Sequence, residues 1–308
     1  MWMLDPRIRL VLPFALLTAI LAVSTSSIFI RFAQAEAPSL VIAALRLTCA
    51  TVLLAPLVWT RHRGELQTLG RNEIIPGAIA GLFLAVHFAT WISSLEYTSV
   101  ASSVVFVSTG PLWVALLSPV LLHERLTRAV TIGLTVAVLG GIMVGISDAC
   151  TWDGGLRCPD LHQIMEGRAM WGNFLALAGA WTVSGYLMIG RKLRTKISLI
   201  PYIFLVYGMS AIALIIIMLA SGQSALGYPT RTYGWIFLLA AFPQLIGHST
   251  YNWVLRYIPA TLVAITTLVE PIGSAILAYF VLRETPSNGV LFGGLLILLG
   301  IYLASRSR

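Results

Sequence analysis

Two imidazoles, several indoles, one carboxylate and a few amides stand inside long apolar runs of this chain. His87, Trp91 and Ser94 are spaced i, i+4, i+7 and share one face of a helix. Gln244, His248 and the adjacent Tyr251 and Asn252 repeat that spacing. Other runs carry Ser102, Phe106 and Trp113; Trp181, Ser184 and Met188; and Thr266, Thr267 and Glu270. These residue types suit recognition better than bond-making. An imidazole in hydrocarbon is expensive unless water, a ligand or another side chain bonds it. Indole faces supply apolar area, and imidazole and amide groups bond ammonium or carboxylate ends. The expected site is one cavity lined by His87, Trp91, Phe106, Trp181, His248, Tyr251, Asn252 and Glu270. For each the alternative is helix packing or a bond to a neighbouring helix. Arg46 is an embedded cation, placed to snorkel outward or to pair with Glu96, with a ligand carboxylate as a further option. No Lys falls in any apolar run, which argues against phosphorylated ligands, since these need several cations.

The elements that must position these residues follow from composition. Of 308 residues, 58% are hydrophobic and 10% charged, against about 25% charged in soluble domains. With a mean hydropathy of +0.87 and repeated apolar runs, the class is an all-α polytopic membrane protein. Ten spans are expected, at 9–32, 38–60, 74–96, 100–122, 127–147, 169–190, 198–220, 233–255, 260–282 and 288–304. The net charge of +8 does not indicate nucleic acid, because Lys and Arg sit in short segments between the runs. The first run could pass for a signal peptide. It has a counterpart at 173–191, so it reads as a retained helix.

Lys and Arg counts orient the spans. With the N-terminus in the cytoplasm, fourteen fall on the cytoplasmic side and four on the other; Arg31 and Arg46 lie within spans and complete the 20. Short-loop asymmetry of this kind places both termini inside.

The chain also repeats itself. "GPLWVALLSPVLLHERL" begins at Gly110 and "EPIGSAILAYFVLRETP" at Glu270, so Pro111 and Pro271, and Glu124 and Glu284, are each 160 residues apart. Leu95-Glu96-Tyr97 and Leu255-Arg256-Tyr257 keep the offset, as do Gly133 and Gly140 with Gly293 and Gly300. Five spans per half is odd, so the second half enters the membrane from the opposite side. The expected architecture is two inverted five-helix repeats, 1–150 and 169–308, joined by a periplasmic connector, 151–168.

The segments "SLEYTSVASSVVFVSTGPLWVALLSPVLLHERL" and "VLRYIPATLVAITTLVEPIGSAILAYFVLRETP" resemble the drug/metabolite transporter superfamily, EamA type, over nearly the whole chain. The closer resemblance is to bacterial aromatic amino acid exporters. It implies ten helices around a central cavity and export of amino acids or other small metabolites across the bacterial inner membrane. His123 and Thr285 depart from the small or basic residues common beside the two Glu positions, and Glu124 and Glu284 read as helix-end structure.

The functional expectation is a secondary exporter of aromatic or large apolar amino acids by alternating access. A proton-coupled drug exporter and a channel-like facilitator are the alternatives. No phosphate-binding loop, metal cluster or nucleophile motif is present, so neither an enzyme nor a cofactor is expected. The expected partners are a small-molecule substrate and the lipid bilayer, with the chain a monomer. Cys150, at the last position of the first repeat, and Cys158, in the connector, fall on the outer side, where an oxidising compartment favours a disulfide; Cys49 lies within a span.

Overall fold

A computed structural model describes residues 6–122, 128–149, 151–152, 156–157, 167–258, 260, 263 and 266–305. Every expected span is helical over its described residues, in one helix or in consecutive pieces. Among the described residues, five helices are long and apolar enough to cross a membrane: Leu10–Gln34, Ser39–Thr68, Arg71–Ser94, Arg168–Arg194 and Leu199–Ala220. Shorter apolar helices cover Val100–Val114, Thr131–Val144, Glu270–Leu282 and Asn288–Leu303. The described part of the connector holds a short antiparallel ladder, Thr151–Trp152 with Leu156–Arg157. Cys150 and Cys158, next to it in sequence, lie outside the described residues.

The polarity is that of a chain solvated by lipid. Leu10, Phe14, Leu17 and Leu21 form an exposed stripe on the first helix, while Arg46, Gln244, Asn252 and Ser184 are fully buried. Several interior polar groups are joined by hydrogen bonds, as a medium without water favours. Arg46 does not snorkel and does not meet Glu96. Its Nε–H donates to Gln244 Oε1 at 3.0 Å and its Nη1–H to Ser26 Oγ at 3.1 Å. Its guanidinium lies 4.2 Å from the centre of the Phe88 ring.

Glu96 instead accepts from the N–H and hydroxyl of Ser39, at the start of the Ser39–Leu57 helix. Glu65 does the same for Ser198, ahead of Leu199–Ala220. Glu284 accepts from Val100 N–H at 2.9 Å and pairs with Arg31 at 3.1 Å. Each carboxylate meets the unpaired N–H groups and positive dipole end of a helix that belongs to another part of the chain.

The helices Arg128–Ala149 and Asn288–Ser305 pack most closely. A Cβ on Gly140 would lie 2.6 Å from Gly293 O, and one on Gly300 would clash with Gly133 O. The contacts run in opposite sequence directions, so the helices are antiparallel. Small residues bring their backbones together.

Two helices break at corresponding places. Val100–Val107 ends in a turn at Ser108 and Thr109, and Gly110–Leu122 begins there. In the second half a 3-10 turn at Thr267–Val269 precedes the Glu270–Leu277 helix. Pro111 and Pro271 each sit in the first turn of the new helix, where a missing N–H costs nothing. The repeated proline thus marks a pair of helix restarts.

Candidate functional site

Both breaks open onto one cavity. Its wall includes Val107, Ser108, Gly110 and Pro111 from the first break and Thr267 and Glu270 from the second. Irregular backbone at this depth is tolerated where it lines a cavity. The space between the wall residues is about 690 Å3, counting the part that opens to the outside.

The Arg71–Ser94 helix contributes His87 and Trp91, one turn apart with stacked rings 5.8 Å between centres. His87 Nδ1 lies 2.9 Å from Gly179 O. A carbonyl only accepts, so Nδ1 carries the proton, and in the neutral ring Nε2 is an acceptor. His248 meets His87 edge to face, ring centres 6.5 Å apart. It closes a π-helical stretch, Ala240–His248. His248 stands one residue beyond the 160 offset from His87, and a π-helical turn takes up an additional residue.

Tyr251 and Glu270 complete the polar wall. Tyr251 is 5% exposed and Trp91 3%. The Tyr251 hydroxyl and the Trp91 Nε1–H are both without a hydrogen-bond partner. Buried donors of this kind are normally paired. Glu270 is close enough to Tyr251 and to Arg46 to interact electrostatically. Among the described residues, no Lys or Arg lines the cavity.

Five of the eight expected residues therefore share the cavity: His87, Trp91, His248, Tyr251 and Glu270. Three lie off it. Trp181 is 39% exposed and packs edge to face on Trp113, 5.2 Å between ring centres. The liners on its helix are Val183, Tyr186 and Leu187. Two residues along a helix is about 200° of rotation, which turns Trp181 away from Val183. Phe106 faces the helix that carries Gly141 instead, its ring 3.4 Å from where a Cβ there would stand. Asn252 is fully buried and stands behind Tyr186. It accepts from the Tyr186 hydroxyl at 2.8 Å, and its Nδ2–H donates to His248 O at 2.8 Å. Asn252 therefore orients two wall residues and touches no cavity space itself.

Sequence reasoning passed over Tyr186 and the backbone at Ser108 and Gly110. The signal for the second was "STGP" within an apolar run, a helix-breaking string. Tyr186 had a weaker one, a polar-tipped aromatic mid-helix on the face opposite Trp181.

Comparison with known proteins adds to this geometry. An uncharacterized transporter of Archaeoglobus fulgidus is 25% identical over 268 residues, 87% of this chain and 88% of that protein. The uncharacterized transporter YyaM of Bacillus subtilis is 23% identical over 264 residues, 83% of this chain and 80% of that one. The pseudopaline exporter CntI of Pseudomonas aeruginosa is 23% identical over 295 residues, 95% and 96% of the two chains. A crystal structure with 19% sequence identity superposes with a TM-score of 0.65, covering 94% of this chain and 95% of that one, which speaks to the fold alone. The model of the EamA-like transporter family matches residues 11–146 and 170–306. This chain belongs to the EamA-like transporter family and is a multi-pass membrane transporter, not an enzyme.

Proposed function

We propose that the chain is a secondary exporter that moves aromatic or large apolar amino acids, or related small amphipathic metabolites, out of the cytoplasm by alternating access. Ten helices in two inverted five-helix repeats, 1–150 and 169–308, would rock about the cavity and expose it to each side in turn. The carrying observation is the pair of helix restarts at Pro111 and Pro271, equal in sequence position and facing one cavity. The reciprocal contact of Gly140 with Gly293 and Gly133 with Gly300 supports the symmetry. It is the i-to-j, j-to-i pattern of a two-fold interface. The apolar wall with two stacked rings suits an aromatic side chain. A relative named as an exporter agrees with outward transport.

In this reading both termini face the cytoplasm of a bacterial inner membrane, and Cys150 and Cys158 form a disulfide in the periplasmic connector. The deciding experiment is counterflow in proteoliposomes. Vesicles loaded with unlabelled phenylalanine should accumulate labelled phenylalanine transiently, with saturation. Flux without saturation or counterflow marks a channel-like facilitator. No movement of any aromatic or large apolar amino acid overturns the substrate assignment.

A further inference from the structure

The described glutamates divide sharply. Glu36, Glu65, Glu73, Glu96 and Glu284 each accept hydrogen bonds at the start of a helix. Glu270 accepts none and makes no ion pair among the described residues, yet it stands in the cavity wall. Arg46 is near enough to offset its charge over distance. That guanidinium is itself fully buried and outside the wall, bonded to Gln244 through Nε and to Ser26 through Nη1, with its Nη2 unpartnered. At contact range the described wall residues therefore offer one carboxyl group and no Lys or Arg. Beside it are two buried neutral donors with nothing to bond, the Tyr251 hydroxyl and the Trp91 Nε1–H.

We propose that Glu270 reads the ammonium group of the cargo, while Tyr251 and Trp91 donate to its carboxylate, so that an amine is required for binding and a carboxylate is not. This rests on the reading of the cavity as the cargo site. An α-amino acid carries both charged groups on one carbon. A donor neighbouring the acid, as Tyr251 neighbours Glu270, suits that arrangement. A cargo with a carboxylate alone would bring a second negative charge beside Glu270 with no wall cation to meet it. Like charges in a site of low dielectric repel strongly. An ammonium on Glu270 makes a charge-assisted bond, about twice the strength of a neutral one.

The test is binding to the purified full-length chain in detergent with three probes that share a phenyl ring. They are phenylalanine, phenethylamine (no carboxylate) and 3-phenylpropionate (no amine). Phenylalanine and phenethylamine should bind, and 3-phenylpropionate should be weaker by about tenfold or more. Glu270→Gln should weaken phenethylamine by a similar factor, and Glu270→Asp should keep the preference for amines. Tyr251→Phe should weaken phenylalanine and leave phenethylamine unchanged. Each variant is scored only if it elutes as a single species at wild-type yield, and Glu270→Ala, which also removes the carboxyl and should weaken phenethylamine, supplies the readout if Glu270→Gln does not. If 3-phenylpropionate binds as tightly as phenylalanine, or the charge-removing variant binds phenethylamine as tightly as the wild type, the assignment is overturned while the cargo site stands. If none of the three binds the wild-type chain, the cargo-site reading falls and takes this assignment with it.

Discussion

Gly140 and Gly293 meet backbone to backbone: a Cβ on the first would lie 2.6 Å from the carbonyl oxygen of the second, and a Cβ on the second 2.7 Å from that of the first. Neither side of the contact is a flexible side chain, so nothing can move aside cheaply. Gly140→Val and Gly293→Val should each destabilise by about 1–3 kcal/mol, the usual cost of overpacking. The readout is a lower melting temperature in detergent and a smaller folded fraction. Gly141→Ala is the control, since its Cβ would come no nearer than 3.4 Å to the Phe106 ring. If both valine variants melt with the wild type, the close packing of these helices is wrong.

Trp91 and Trp181 should behave differently. Trp91 is a buried wall residue, and removing a buried aromatic face costs about 1.5–3 kcal/mol of burial, roughly ten-fold or more in affinity. Trp91→Ala should therefore weaken binding of an aromatic amino acid by that factor. Trp181→Ala, off the cavity and turned outward, should leave affinity unchanged. Equal loss in the two variants would place Trp181 back in the site.

Arg46 holds the interior together through Gln244 and Ser26. Truncation to Ala leaves both without their donor, at about 1–3 kcal/mol for each buried group that finds no other partner. Arg46→Lys should not rescue. An ammonium is a point donor and cannot fork to two acceptors while lying flat over Phe88. The expected outcome is a clear fall in thermal stability for both variants. A lysine variant as stable as wild type would show that only charge matters at this position.

Glu36, outside the membrane spans, should give the fold a pH dependence. The hydrogen bond from Arg231, and then that from Thr232, lowers its pKa below the ordinary 4.5. A carboxylate with a lowered folded pKa contributes its stability in full above the unfolded value. That contribution is lost as pH falls through the folded value. Melting curves of wild type and Glu36→Gln should therefore differ by a constant amount above about pH 5 and converge in more acidic buffer. A gap that widens on acidification would contradict the sign.

The proposed connector disulfide is checked by alkylating unreduced protein and measuring its mass. Cys49 is a free thiol, so one modification is the expected result under denaturing conditions. Three modifications rule the bridge out.

Much of this was legible in the sequence because it is local or periodic. Apolar runs mark helices whatever surrounds them, since a backbone in lipid must satisfy its own hydrogen bonds. Proline and the offset of 160 marked the two repeated segments, though not the helix restarts inside them, and i, i+4 spacing put His87 and Trp91 on one face. Rotation of each helix about its axis was not legible. In a soluble helix the polar face points to water, but here lipid and protein core are both apolar. Composition alone therefore cannot say whether Trp181 looks inward or outward. Only packing of the two halves against each other decides that, turning Val183, Tyr186 and Leu187 to the cavity and Trp181 away. The same holds for charge. Arg46 could have met Glu96, but Ser39 claims that carboxylate as a helix cap, and Gln244, 198 residues away, reaches the guanidinium. The chain alone named the helices, the 160-residue offset and five residues of the wall. Tertiary contact, which sets helix rotation and partners distant groups, left Glu270 as the unpaired acid facing the cavity.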